Sequence, residues 1–180
     1  MSIEKEINLL IFCKYYAIIF LTNVKEEKMK NTTLCYIKKD SSYLMLHRIK
    51  KENDENKDKW IGIGGKLENG ESPFDCIRRE IKEEVGLTAE KLNYRAIITF
   101  VSDIYGTEYM HLFTCDKFSG NLSNNCDEGV PEWIKIKKIK DLPIWEGDKI
   151  FLNLIETNIP FFSLKLVYAG DKLVSHTLEY

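Results

Sequence analysis

Gly65 to Leu87 reads GKLENGESPFDCIRREIKEEVGL, and the architecture of the 180-residue chain can be worked outward from it. Ser72 suits a helix N-cap, Pro73 suits the first helical position, and Gly86 stands where a left-handed residue ends a helix. The spacing predicts a helix from Pro73 to about Val85. On it Glu80, Glu83 and Glu84 stand at i, i+3 and i+4, so three carboxylates share one face. Phe74, Ile77, Ile81 and Val85 form a neighbouring apolar stripe that docks the helix on a core. Like charges at this spacing repel, by roughly a few tenths of a kcal/mol per pair. An uncompensated local penalty of this kind marks a place to look for function. Hard divalent cations take oxygen ligands, and Mg²⁺ typically combines a few carboxylates with substrate phosphates. Arg79 and Glu71 can orient such carboxylates, the guanidinium holding one while steering another. By itself a Glu-rich helix carrying Arg78, Arg79 and Lys82 also fits a solvated face. The glycine-rich approach with Glu71, and the Gly86-Leu87 exit, favour the chemical reading.

Upstream, TTLCYIK (Thr32–Lys38) and YLMLHRI (Tyr43–Ile49) read as short strands around the turn Lys39-Asp40-Ser41-Ser42. Residues 50–59, KKENDENKDK, read as a solvated loop. Trp60-Ile61-Gly62-Ile63-Gly64-Gly65 alternates glycine with bulk, which predicts close backbone approach. Downstream, strands are expected at about Tyr94–Val101, Glu108–Lys117 and Glu132–Ile136, and a helix between Glu146 and Thr157. Phe161–Tyr168 and Leu173–Tyr180 alternate as a hairpin turned by Ala169-Gly170-Asp171. Strands outnumber helices, so the class is α+β, a mixed sheet flanked by two helices.

Composition narrows the functional classes. Twenty-six basic against 28 acidic residues leave a charge of −2, so no global cationic field draws in nucleic acid and no stable complex with it is expected. Apolar residues at 44% and charged residues at 30% describe an ordinary globular chain, not a disordered or polytopic one. Cys13, Cys35, Cys76, Cys115 and Cys126 form no CxxC pair, so zinc-ribbon and thioredoxin-like sites are excluded. They read as free thiols of a reducing, cytoplasmic compartment. His111, within an apolar strand, reads as a satisfied structural histidine. Ile7–Val24 is an 18-residue, mostly apolar run broken by Lys14, near the lower limit of about 17–25 residues for a membrane span. It lacks signal-peptide features, and it suits a buried element or an appendage as well as an anchor. Residues 1–28 are accordingly set apart as an apolar leader, with the compact domain over 29–180.

The central stretch resembles the Nudix box: Gly, five residues, Glu, seven residues, then Arg-Glu-aliphatic-any-Glu-Glu-any-Gly-aliphatic. Gly65, Glu71, Arg79, Glu80, Ile81, Glu83, Glu84, Gly86 and Leu87 fit it without departure. A random match is on the order of one in 10⁹ per window at average residue usage. The resemblance implies a Nudix fold, an α/β/α sandwich around a mixed β-sheet, and hydrolysis of a nucleoside diphosphate linked to another group. It implies Mg²⁺, or Mn²⁺, held by Glu84 and Glu80, with Glu83 as third ligand or assistant and the Gly65 carbonyl within reach. Arg79 and Glu71 become the orienting pair, and the general base is Glu80 or a residue outside the box. WIGIGGK and Trp145-Glu146-Gly147-Asp148 resemble segments of MutT-like 8-oxo-dGTP diphosphatases, as does the terminal hairpin. By position Trp145 becomes the platform on which the base stacks, Asp148 the reader of its edge, and Gly64 and Lys66 substrate contacts. Glu128, before Pro131-Glu132-Trp133, is placed to help the metal or the water.

Two departures stand out. Ile61 occupies a position where those relatives have Asn, and Gly147 replaces one acid of their Trp-Pro-Asp-Asp segment. A site with fewer polar groups discriminates less sharply among bases. The expected activity is metal-dependent hydrolysis of nucleoside triphosphates to monophosphate and pyrophosphate, with oxidised purines such as 8-oxo-dGTP as substrates, a step that sanitises the nucleotide pool for DNA replication and repair. The alternatives are the same chemistry on a nucleotide-sugar, a dinucleotide polyphosphate or an RNA 5′ end, with Lys135–Lys140 holding extra phosphates, or a nucleotide-binding module without catalysis.

Overall fold

The computed structural model describes residues 29–123, 126–157 and 159–180. The apolar run Ile7–Val24 and Cys13 lie outside the described residues. In chain order the elements are β1 (Lys30–Lys39), β2 (Ser42–His47), β3 (Trp60–Ile61), α1 (Pro73–Val85), β4 (Thr88–Ser102), β5 (Gly106–Ser119), β6 (Val130–Lys135), α2 (Ile136–Ile139), α3 (Glu146–Ile155), β7 (Phe162–Ala169) and β8 (Lys172–Glu179). Among the described residues, eight strands form one mixed sheet ordered β3-β2-β1-β5-β4-β7-β8, with β6 on β2. The β1–β5 and β4–β7 pairs run parallel and the other pairs antiparallel.

β1 shows how the layers arise. Leu34, Cys35, Tyr36 and Ile37 are all buried, as in a strand covered on both faces. Alternation sends Cys35 and Ile37 towards Ile77, Ile81 and Val85 of α1. It sends Leu34 and Tyr36 towards Phe151, Leu152 and Ile155 of α3. The expected α/β/α sandwich around a mixed sheet is therefore observed, in an α+β chain. The strand and helix assignments hold, though β4 starts earlier than expected and Ile136 opens a short helix instead of ending β6.

α1 forms for local reasons. Ser72 Oγ accepts from Asp75 N, and the Asp75 side chain accepts from Ser72 N, a reciprocal capping box. Gly86 ends the helix at φ +72°. Phe74, at the edge of the expected stripe, is only half covered and meets the Phe113 ring edge-on at 5.0 Å. Cys35, Cys76, Cys115 and Cys126 are buried and free, and burial raises each thiol above its ordinary pKa. His111 Nδ1 meets Tyr94 Oη at 2.6 Å, a satisfied strand histidine as expected.

The loop at 50–59 is the main departure. Its middle is not simply solvated: Asp54 takes Arg48 Nε at 2.7 Å with only 5% of its side chain exposed. Arg48 O accepts from Asp58 N at 2.8 Å, and Arg48 N donates to Lys59 O at 3.0 Å. The charged composition concealed a clamped turn.

Candidate active site

The residues before α1 are held against β1 by backbone pairing. Cys35 N donates to Ile63 O at 2.7 Å, Ile63 N to Cys35 O at 2.9 Å, and Thr33 N to Gly65 O at 2.8 Å. Glycine is required for this approach, since a Cβ at Gly64 would lie 2.1 Å from the Thr33 carbonyl oxygen. A Cβ at Gly65 would meet the Glu80 carboxylate at 2.4 Å. The loop and the acidic face of α1 are thus pressed together.

On that face the carboxylates separate into distinct environments. Glu84 is buried, its Oε2 accepting from Gly64 N at 3.2 Å. Burial, reinforced by the charges of Glu128 and Glu80, pushes its pKa to about 8. Burial also raises the Glu80 pKa, against the pull of Arg79. Arg79 grips Glu71 with two bonds, Nε to Oε1 at 2.7 Å and Nη2 to Oε2 at 2.9 Å, and holds Glu80 at 2.7 Å and Glu83 at 3.1 Å through Nη1. Those bonds, with one from the Glu68 amide, lower the Glu71 pKa to about 2. Glu128 pairs with Arg48 and Lys51. Arg48 therefore links Glu128 to Asp54 of the clamped loop.

A cavity of about 490 Å³ joins this chemistry to the far side of β1, within the usual range for small-molecule sites. Of the residues singled out from the sequence, Glu80, Arg79, Glu128, Gly64, Gly65, Lys66, Trp145 and Asp148 line it together. Glu84 lies just behind Gly64, and Glu71 lies behind Arg79. Two of the expected ligands are already engaged by other residues of the chain. Gly65 O accepts from Thr33 N at 2.8 Å, one of the two hydrogen bonds a carbonyl oxygen can take. Glu83 has a side chain 60% exposed on the outer side of Arg79, where it steadies the guanidinium instead of reaching the cavity.

Burial raises the Asp148 pKa to about 8, opposed by the charge of Lys59. At neutral pH its carboxyl is therefore largely protonated and can donate a hydrogen bond. Trp145 is almost fully covered, with Lys59 Nζ over its ring at 4.3 Å and Tyr168 edge-on at 5.3 Å. Gly147 faces the core, where a Cβ would meet the Leu166 side chain at 2.5 Å and Tyr168 Oη at 2.9 Å, so any side chain there must displace them. Glu146 turns away to accept from Leu173 N. Sequence reasoning missed Arg48, Asn56 and Glu108, all on the cavity wall. Asn56 belongs to the charged stretch taken as solvent-facing, Arg48 lies in the strand-like run before it, and Glu108 is an isolated strand acid; none carried a motif.

The donor set suits a hard divalent cation. Glu84, Glu80 and Glu128 offer oxygen only, and at Glu84 the mutual repulsion is answered by one backbone N–H. Among the described residues no three His, Cys, Asp or Glu side chains stand as a ready-made coordination cluster, with Arg79 holding Glu80.

Comparison with known proteins agrees with this geometry. The NUDIX domain family matches residues 28–155. An oxidized purine nucleoside triphosphate hydrolase of Danio rerio is 34% identical over 123 residues, covering 67% of this chain and 78% of its own. The uncharacterized Nudix hydrolase YvcI of Bacillus subtilis is 27% identical over 156 residues, covering 84% of this chain and 95% of its own. The crystal structure of a MutT protein from Bacillus halodurans superposes with a TM-score of 0.74 at 25% identity, covering 84% of this chain and 98% of that one. Nudix enzymes are pyrophosphohydrolases of small nucleotide substrates and generally use divalent metal ions, and with its box intact this chain belongs to the Nudix hydrolase family.

Proposed function

We propose that residues 29–180 form a catalytic domain that hydrolyses purine nucleoside triphosphates, with oxidised guanine as the favoured base, to monophosphate and pyrophosphate. The observation that carries this reading is the single cavity lined at once by Glu80, Arg79 and Glu128 and by Trp145 and Asp148. The identity shared with the Danio rerio hydrolase supports the choice of base. Glu84, Glu80 and Glu128 would hold Mg²⁺, or Mn²⁺. When bound, such an ion neutralises phosphate charge and lowers the pKa of water. Arg79, locked by Glu71, keeps Glu80 in place, and Lys66 contributes a positive charge to bind the triphosphate. Water adds to one phosphorus as the bridging P–O bond breaks, and its proton passes to Glu80 or Glu128, the box-side carboxylates on the cavity wall. The protonated Asp148 donates to the base edge while Trp145 carries its face, for which Lys59 must move aside. We place the enzyme in the cytoplasm, acting on free nucleotides. No described helix is long and apolar enough to cross a membrane.

The test is a substrate panel of 8-oxo-dGTP, dGTP, ADP-ribose and 5′-triphosphate RNA at equal concentration, with and without EDTA. Hydrolysis is expected to be fastest for 8-oxo-dGTP, to give pyrophosphate from it, and to be abolished by EDTA. Preference for ADP-ribose or RNA would redirect the substrate assignment, and EDTA-resistant release would exclude the metal site. A second expectation concerns Arg79. A lysine there cannot span Glu71, Glu80 and Glu83 at once, so Arg79→Lys should lower kcat by about ten- to a hundredfold with the fold intact. Steady-state rates and a thermal melt on the same sample check it.

A further inference from the structure

The amide of Asn56 is half used on the wall of the cavity. An indole N–H can only donate, so the 2.8 Å contact from Trp145 Nε1 fixes which end of that amide it meets: Oδ1. The Nδ2 group is thereby turned away from the indole and has no hydrogen-bond partner among the described residues, on a residue that lines the cavity. Its backbone is held on both sides. Asn56 N donates to Asp54 Oδ1 at 2.9 Å, and Asn56 O accepts from Lys59 N at 2.9 Å. Asp54 is clamped by Arg48, which is itself paired with Glu128. The donor is therefore preorganised, and using it costs little ordering entropy. Ile61 on the same wall offers no polar side chain.

An amide fastened to the edge of an aromatic plate lies beside whatever stacks on the plate. We infer that Asn56 is a specificity-determining residue whose Nδ2 donates to an exocyclic carbonyl of the base carried by Trp145, selecting oxo-purines over amino-purines at that edge. This rests on the reading that Trp145 carries the base. Carbonyl oxygens accept hydrogen bonds and amino groups do not, so one donor separates the two classes.

Asn56→Asp isolates the donor, because a carboxylate oxygen still accepts from the indole while the NH₂ is lost. The experiment is isothermal titration of metal-free wild type, Asn56→Asp and Asn56→Ala with dIMP, 8-oxo-dAMP and dAMP, which carry a carbonyl at position 6, at position 8, and at neither. Circular dichroism confirms folding. Asn56→Asp is expected to weaken at least one carbonyl-bearing nucleotide about tenfold or more, and to leave dAMP unchanged or tighter. Asn56→Ala should weaken the same nucleotide without improving dAMP. Equal losses for all three, or none, overturn the role of Asn56 and leave the base site standing. Failure of the wild type to bind any of them removes the Trp145 reading and this inference together.

Discussion

Glu84→Gln is expected to lower kcat by about three orders of magnitude while making the metal-free protein more stable. The first effect follows from charge. Glutamine keeps the shape and an oxygen but not the negative charge that would hold a divalent cation. The second follows from burial. Glu84 is 8% exposed, its partner is a backbone N–H, and Glu128 and Glu80 repel it. With a folded pKa of about 8 and an unfolded value near the ordinary carboxylate range, the folded state binds the extra proton between those values. Stability is therefore fully present below pH of about 4.5, declines as pH rises, and is lost above about 8, a total of a few kcal/mol. The Gln variant should lack that decline. Millimolar Mg²⁺ should offset it in the wild type alone, by binding the folded state. Thermal melts from pH 5 to 9 in EDTA and in Mg²⁺, beside initial rates, measure all of this. A variant that kept a tenth of the wild-type rate would end the case for Glu84 as a ligand.

Gly64→Ala should be nearly as damaging by a different route. Its Cβ would stand 2.1 Å from Thr33 O and 2.7 Å from the carbonyl carbon, both backbone atoms of β1 that cannot rotate away. Either β1 moves or the loop detaches, breaking the pairing through Cys35, Ile63 and Gly65. We expect a loss of about 3 kcal/mol or more, near 10 °C in Tm. Because Gly64 N also holds Glu84, the acidic face shifts, and a displacement of about 1 Å costs on the order of a hundredfold in rate. Gly70→Ala is the control. It meets nothing within 4 Å, and its positive φ of 87° brings only a backbone penalty of about 1 kcal/mol. A Gly64→Ala protein melting with the wild type would show that the loop does not approach β1 so closely.

Much of the fold was legible because its signals are local. Ser72, Pro73 and Gly86 bracket α1, and the periodicity of Ile77, Ile81 and Val85 sets its buried face. TTLCYIK announced β1 as a strand, while its cover on both faces came from the structure. Residues 50–59 were misjudged because charge density is read as solvation, whereas Asp54 is covered by the guanidinium of Arg48, the residue that follows β2. No spacing rule indicates that Arg48 will stand between Asp54 and Glu128, eighty residues from the latter. The Gly65 carbonyl likewise could not be placed until β1 supplied Thr33 N as its partner.

From sequence alone came the box, the helix and the gathering of Glu80, Glu83 and Glu84 on one face, since helical pitch and end-capping act within a few residues. Tertiary structure decided which of those carboxylates is buried and which is tied to Arg79, and it brought Trp145, Asp148 and Asn56 to the same cavity. Burial, and with it pKa and hydrogen-bond availability, depends on neighbours delivered by distant strands and loops, which local patterns do not specify.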